Sequence, residues 1–179
     1  HQFYITNDDT NTGIMVSDAA VNIKPSEKTL KTVTETMVKS LKLLGIKTPK
    51  IAFLSASELV MENMESTVVA QNLKEWAKEH IEDAFFSGPL ALDLIISREA
   101  ALKKGLENDP VAGQSHGIVV PEIVSGNTLY KSLVYFAGGC AAGIVLGAKV
   151  PVLLTSRADP PEARLASIAL ASILSDEIL

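Results

Sequence analysis

Unbroken apolar runs alternate along this chain with segments whose apolar residues recur every three or four positions, and few folds accept that alternation. The runs are KIAFL (50–54), GIVV (117–120), GIVL (143–146) and VPVLL (150–154). A strand without polar alternation is one buried on both faces, as in a parallel sheet covered by helices. Between the runs, Ser26 is placed to cap a helix that carries Leu30, Val33, Met37, Leu41 and Leu44 on one face and stops at Gly45. A second helix is expected over about 67–79, with Ser66 as cap and Val69, Leu73, Trp76 and Ala77 on its buried side. Ser97 caps a third, whose Lys103 and Lys104 come late, as the macrodipole favours, and whose stop is Gly105. The pattern predicts an α/β layered domain with a largely parallel sheet.

Other segments refine that plan. QFYIT (2–6) and GIMVS (13–17) flank the polar NDDTNT, which suggests an N-terminal antiparallel hairpin attached to the sheet. FFSGPLALDLII (85–96) is too apolar for a surface loop, yet Gly88 and Pro89 are expected to break any regular element. EIVSGN (122–127) reads as a turn and TLYKSLVYFAGGCAA (128–142) as a helix leading to the strand pair GIVLG and VPVLL. The longest apolar run, 133–148, contains four glycines and is shorter than the roughly 20 residues a membrane helix needs. No membrane span is expected.

With 179 residues, 47% of them hydrophobic, the chain can bury the core of one domain, or of one domain and a fragment of another. A net charge of −5 with Lys and Arg spread along the chain argues against a nucleic-acid surface, which needs a concentrated basic face. One cysteine, Cys140, rules out an internal disulfide framework and fits a reducing compartment. His1, His80 and His116 are scattered without ligand spacing, so no metal is expected. His1 stands first, with neither Met nor a leader pattern, which reads as a cloning or processing boundary.

Ser156 and Arg157 follow VPVLL, and in open α/β sheets ligands bind outside the carboxyl ends of strands. Asp159 is placed to cap the next helix, with Pro160 at its first position; Pro160 and Pro161 both lack an N–H, so an anion here depends on the Arg157 guanidinium and the Ser156 hydroxyl. The plainer reading is an ordinary polar strand end, and position alone favours it. Gly126 and Asn127 form a second candidate, a tight turn in which Asn127 caps a helix and Lys131 follows one turn later, against a simple βα turn with Lys131 exposed. Ser55 and Ser57 present hydroxyls at another strand end, where a turn is the commoner explanation. Gly139, Gly143 and Gly147 follow a helix instead of linking a strand to one, so close packing explains them better than a dinucleotide fingerprint. Cys140 reads as an inert helical core residue and His116 as a structural or surface histidine.

DAAVNIKP (18–25), KIAFLSASE (50–58), GPLALD (88–93), KKG (103–105), VAG (111–113), VPEIVSGNTLYKSL (120–133), GAKVPVLLTSRAD (147–159) and SIALAS (167–172) together resemble, in order and over nearly the whole chain, the phosphate acetyl/butyryltransferase family. LSASE and GPLALD are closer to its butyryltransferase-like branch. The resemblance implies a three-layer α/β/α fold of the isocitrate/isopropylmalate dehydrogenase type, two domains around a cleft, and a cytoplasmic homodimer. It implies the reaction acyl-CoA + phosphate = acyl phosphate + CoA, with CoA as a substrate and no permanently bound cofactor. Ser156 and Arg157 match the family's Ser-Arg pair at the phosphate or acyl group, and Gly126, Asn127, Tyr130 and Lys131 match its Gly-Asn turn and Tyr-Lys.

The chain also departs from the family. Acetyltransferase members carry an acid seven residues after the Ser, where this chain has Ala163, leaving Asp159 and Glu162 as nearby proton acceptors. They also carry an Arg five residues after the Tyr, where Tyr135 stands. The family's N-terminal half is absent, so residues 1–154 are expected to be the second, inserted domain and 155–179 the return into the first. The rival reading is a non-catalytic acyl-CoA-sensing or dimerisation domain of a larger enzyme, such as a malic enzyme or hydratase fusion.

Overall fold

The computed structural model describes the backbone of residues 1–7 and 12–178 and the side chains of 1–6 and 13–175. The turn expected between the first two strands lies outside them. In chain order the elements are β1 (Gln2–Asn7), β2 (Thr12–Ser17), α1 (Glu27–Leu43), β3 (Lys50–Leu54), α2 (Glu65–His80), β4 (Phe85–Leu90), α3 (Leu92–Ile96), α4 (Arg98–Lys103), β5 (Gly117–Val119), α5 (Ile123–Tyr135), β6 (Cys140–Val145), β7 (Val152–Leu153) and α6 (Pro161–Ile178). The strands form one seven-stranded sheet in the order β4-β3-β5-β2-β1-β6-β7. β4, β3, β5 and β2 run parallel, while β1 and β7 run against their neighbours, so five strands point one way.

The side-chain period of two divides the strands between two cores. Phe3, Val16, Ala52 and Ile118 face α3, α4 and α5, whereas Met15, Ile51, Phe53 and Val119 face α1 and α2. Ala142 and Ile144 of β6 meet Leu170 and Leu174 of α6, alongside Leu43 and Leu44 at the end of α1. The expected α/β layering is therefore present, with helices on both sheet faces. No helix among the described residues is long and apolar enough to cross a membrane.

Several local expectations hold. Ser26 caps α1 by accepting from the Thr29 N–H, Ser97 caps α4 by accepting from Ala100, and Gly45 and Gly105 take positive φ after those helices. The N-terminal hairpin exists, but β1 lies inside the sheet, between β2 and β6.

Others need correction. Gly88 and Pro89 do not end the strand: β4 runs through them at the sheet edge, but its register against β3 shifts there, between the Ala52–Ser87 and Leu54–Leu90 pairs, a setting that tolerates proline. Gly88 lies so close to Phe53 that a Cβ would sit 2.7 Å from that of Phe53. α2 begins at Glu65, Met64 holds the cap position without a side-chain bond, and Ser66 instead shares a 2.8 Å hydrogen bond with Ser55. α5 ends at Tyr135, so Cys140 opens β6 and is not helical. Close packing explains Gly139 and Gly143, but Gly147 is a turn residue with φ 94° and open space around it.

VPVLL is not a buried strand. β7 is two residues long, pairs only with β6, and leaves Val152 and Leu153 43% and 44% exposed. Apolar composition shows that these side chains seek cover, not that this segment supplies it.

Candidate active site

Because β7 runs antiparallel to β6, its end does not join the edge at which β3, β4 and β5 terminate. The strand-end argument for Ser156 and Arg157 therefore fails, and their setting is a turn that carries the chain from the open sheet edge into α6. Asp159 closes this turn. Its N–H donates to the Ser156 carbonyl at 3.1 Å, and its Oδ2 accepts from the Ser156 N–H at 2.6 Å. Asp159 does not cap α6, which begins at Pro161.

The other Asp159 carboxylate oxygen accepts from the Tyr130 hydroxyl at 3.1 Å. Both side chains are buried, and the Tyr130 ring stacks on Phe3 of β1 with centroids 3.9 Å apart. Burial first, then the neighbouring Asp159 charge and its hydrogen bond, push the Tyr130 pKa far above the ordinary phenol value, so the hydroxyl keeps its proton. Tyr130 thus joins the Ser-Arg turn to the centre of the sheet.

What the turn presents outward is cationic and protic. Arg157 is exposed and makes no hydrogen bond or ion pair with any described residue. The Ser156 Oγ accepts a long bond of 3.4 Å from the Ala158 N–H, and its own proton has no acceptor among the described residues. Such a pair suits a phosphate or a developing oxyanion. A groove of about 480 Å³ runs beside the turn, lined by Asp159, Glu162 and Ala163, the Gly138–Gly139 bend and Cys140. Glu162 is exposed in the first turn of α6.

The second candidate changes character. Residues 122–127 are not a turn: Glu122 caps α5, its carboxylate accepting from the Val124 and Ser125 N–H groups at 2.7 Å each, so Gly126 and Asn127 lie within the helix. Burial works to raise the Glu122 pKa, but these bonds and one from the Ser125 hydroxyl leave it below the ordinary value. A carboxylate already occupying the helix N-terminus disfavours an anion there.

Gly126 packs against the Asp18 carbonyl, and Asn127 donates through Nδ2 to the Ala19 carbonyl at 3.1 Å. Lys131 is exposed. Next to the α5 cap, an open groove of about 810 Å³ is lined by Lys24 but also by Glu27, Glu65 and Glu122, an acidic setting for phosphate. Ser55 adjoins it through Ser66 and is buried. Four strands separate β3 from β7, roughly 24 Å at the usual spacing.

The structure thus gathers Tyr130, Ser156, Arg157 and Asp159, with Glu162 beside them, and leaves Ser55 apart. Three supporting residues escaped the sequence reading. Asp18 accepts from the N–H groups of Ala20, Val21 and Asn22, an Asx turn that an Asp before small residues signals. Ser167, inside α6, accepts from the Gly143 N–H at 2.9 Å, and Phe3 carries Tyr130; both depend on contacts across the fold and leave no local signal. Among the described residues no group of three or more His, Cys, Asp or Glu side chains is placed to hold a metal ion.

Residues 3–172 match the model of the phosphate acetyl/butaryl transferase family, and the chain belongs to it. It is 44% identical over 165 residues to a probable phosphate butyryltransferase of Bacillus subtilis, a match covering 92% of this chain and 55% of that protein. It is 40% identical over 161 residues to a phosphate acetyltransferase of Rhizobium meliloti, covering 89% and 51%. Among solved structures, a branched-chain phosphotransacylase from Enterococcus faecalis superposes with a TM-score of 0.88 at 35% identity, covering 96% of this chain and 61% of that one. The chain spans about half the length of the curated relatives it matches.

Proposed function

We propose that the chain is the C-terminal portion of an enzyme that moves an acetyl- or butyryl-type acyl group between CoA and inorganic phosphate. The observation that carries this reading is that Arg157 and the adjacent Ser156 proton have no partner among the described residues, in a member of a family named for that transfer. The CoA thiolate attacks the carbonyl carbon of the acyl phosphate; a C–S bond forms, the carbonyl electrons move to oxygen, and collapse expels phosphate as the C–O bond breaks. Arg157 holds the phosphate and Ser156 donates to the developing negative charge. Glu162, exposed at the groove, is the better placed of the two acids to take the thiol proton. A thiol pKa near 8.5 makes such a base useful without making it indispensable. CoA enters as a substrate, and no permanently bound cofactor is required.

Residues 1–154 then form the second, inserted domain and 155–179 return the chain to the first. The exposed apolar side chains of β7, and of Leu165, Ile168 and Ile173 on α6, support a covering by the remainder of the polypeptide. A homodimer and a cytoplasmic location belong to the same proposal on family likeness alone.

The test is Arg157→Ala in the complete polypeptide, assayed for CoA-dependent acyl phosphate formation. A loss of about 100-fold in kcat/KM for phosphate is expected, the scale of a charged hydrogen-bonding contact. Unchanged activity removes the phosphate role. Acyl-CoA binding without turnover in the unaltered protein replaces the enzyme with a sensor.

A further inference from the structure

We propose that Asp159 is a positioning residue and not a proton acceptor, and that Tyr130 and Asp159 together hold the Ser156–Arg157 turn in its phosphate-receiving shape. The inference rests on the reading of Arg157 and Ser156 given above. Asp159 grips both main-chain polar groups of Ser156, the carbonyl through its own N–H and the N–H through its carboxylate. Each carboxylate oxygen has a donor of its own, Ser156 N–H on one and the Tyr130 hydroxyl on the other, and the side chain is only 8% exposed. One acceptor site on each oxygen is thus taken, and burial restricts a substrate thiol's approach to the rest.

The latch is anchored on rigid structure. Tyr130 stacks on Phe3 at an interplanar angle of 16°, and Phe3 belongs to β1, which is paired on both sides within the sheet. The path from β1 through Phe3, Tyr130 and Asp159 to Ser156 therefore ties an exposed turn to an interior strand of the sheet. Two prolines follow, Pro160 and Pro161, so the backbone leaving the turn is stiff as well. Fixing the turn in advance removes an ordering cost that phosphate binding would otherwise carry.

The experiment compares Tyr130→Phe, Asp159→Asn and Arg157→Ala in the complete polypeptide. Its readouts are KM for inorganic phosphate, kcat, the pH profile of kcat, and calorimetric binding of inorganic phosphate. Tyr130→Phe keeps the stacked ring and removes only the hydroxyl, so it carries the test even if Asp159→Asn does not fold. The expected result is phosphate affinity lower by about 3- to 10-fold in Tyr130→Phe, the size of one hydrogen bond, with kcat within about twofold and an unchanged pH profile. Asp159→Asn is expected to weaken phosphate binding further with the profile still in place. Loss of kcat together with disappearance of the acid-side inflection in Asp159→Asn overturns the proposal in favour of a base. Phosphate affinity untouched by Tyr130→Phe, while Arg157→Ala abolishes it, overturns the latch and spares the phosphate site. Unchanged affinity in Arg157→Ala overturns the underlying reading.

Discussion

Gly126 lies so close to Asp18 that a Cβ added to it would sit 2.5 Å from the Asp18 carbonyl oxygen. The contact seats α5 against the 18–22 turn, whose Ala19 carbonyl is held by Asn127 in the next position. Since α5 also carries Tyr130, the close approach sets the height at which the tyrosine hydroxyl meets Asp159.

Gly126→Ala is accordingly expected to destabilise the protein by about 1–3 kcal/mol, because the neighbour is backbone and the helix must shift. The gain in helix propensity, about 1 kcal/mol, offsets only part of this. Urea unfolding followed by the fluorescence of Trp76, the only tryptophan, measures it. A variant as stable as the parent refutes the tight seat.

Ser167→Ala tests how α6 is fastened to the sheet. The buried hydroxyl accepts from the Gly143 N–H and donates to the Ala163 carbonyl at 2.8 Å, serving a β6 amide at a level that β7 does not pair. Leaving that amide unpaired is expected to cost about 1–3 kcal/mol in the same unfolding experiment. Ser167→Thr, which retains the hydroxyl, should recover part of the loss.

Glu122→Ala removes the α5 cap, for an expected loss of about 1 kcal/mol at neutral pH. The folded pKa of Glu122 lies below its ordinary value. Its stabilisation is therefore fully present above the unfolded pKa and is lost as pH falls through the folded one. The gap between parent and variant should close in acid, and a gap independent of pH contradicts the ionised cap.

His116 gives a second pH dependence. Its Nδ1 accepts from the Lys50 N–H at 3.1 Å, its own N–H donates to the Lys50 carbonyl, and its carbonyl accepts from Met15, so it joins β3 to β2 at the start of β5. Burial, then the nearby Lys50 charge, lower its pKa from 6.5. A depressed folded pKa means that stability is complete above the unfolded value and declines as pH falls from there through the folded one. Denaturation midpoints should fall as the pH drops below about 6.5, and His116→Gln should flatten that fall. An equal fall in both proteins assigns the dependence elsewhere.

The layered α/β plan was legible because continuous apolar runs and helical spacing are local signals. Ser26, Ser97, Gly45 and Gly105 were legible because caps and stops act within one turn. Pro89 misled in part because an edge strand can absorb a proline as a register shift without ending, and edge position is not a local signal. The start of α5 misled because Gly126-Asn127 carries a strong turn signal, while the Glu122 cap and the Asp18 contact that suit a helix with glycine inside it are respectively weak and distant in sequence. Ser156 and Arg157 stood out through resemblance, whereas the positional argument for them assumed a parallel strand that β7 is not.

The sequence by itself determined the fold class and the family, and singled out Ser156 and Arg157 through an ordered series of motifs, since periodicity and motif order survive without knowledge of contacts. Only the tertiary structure decided that the N-terminal hairpin sits mid-sheet, that VPVLL is an open edge, and that Asp159 turns inward to Tyr130 instead of capping α6. Those outcomes depend on partners far along the chain, and a carboxylate with several donors in reach goes to the one that packing places beside it.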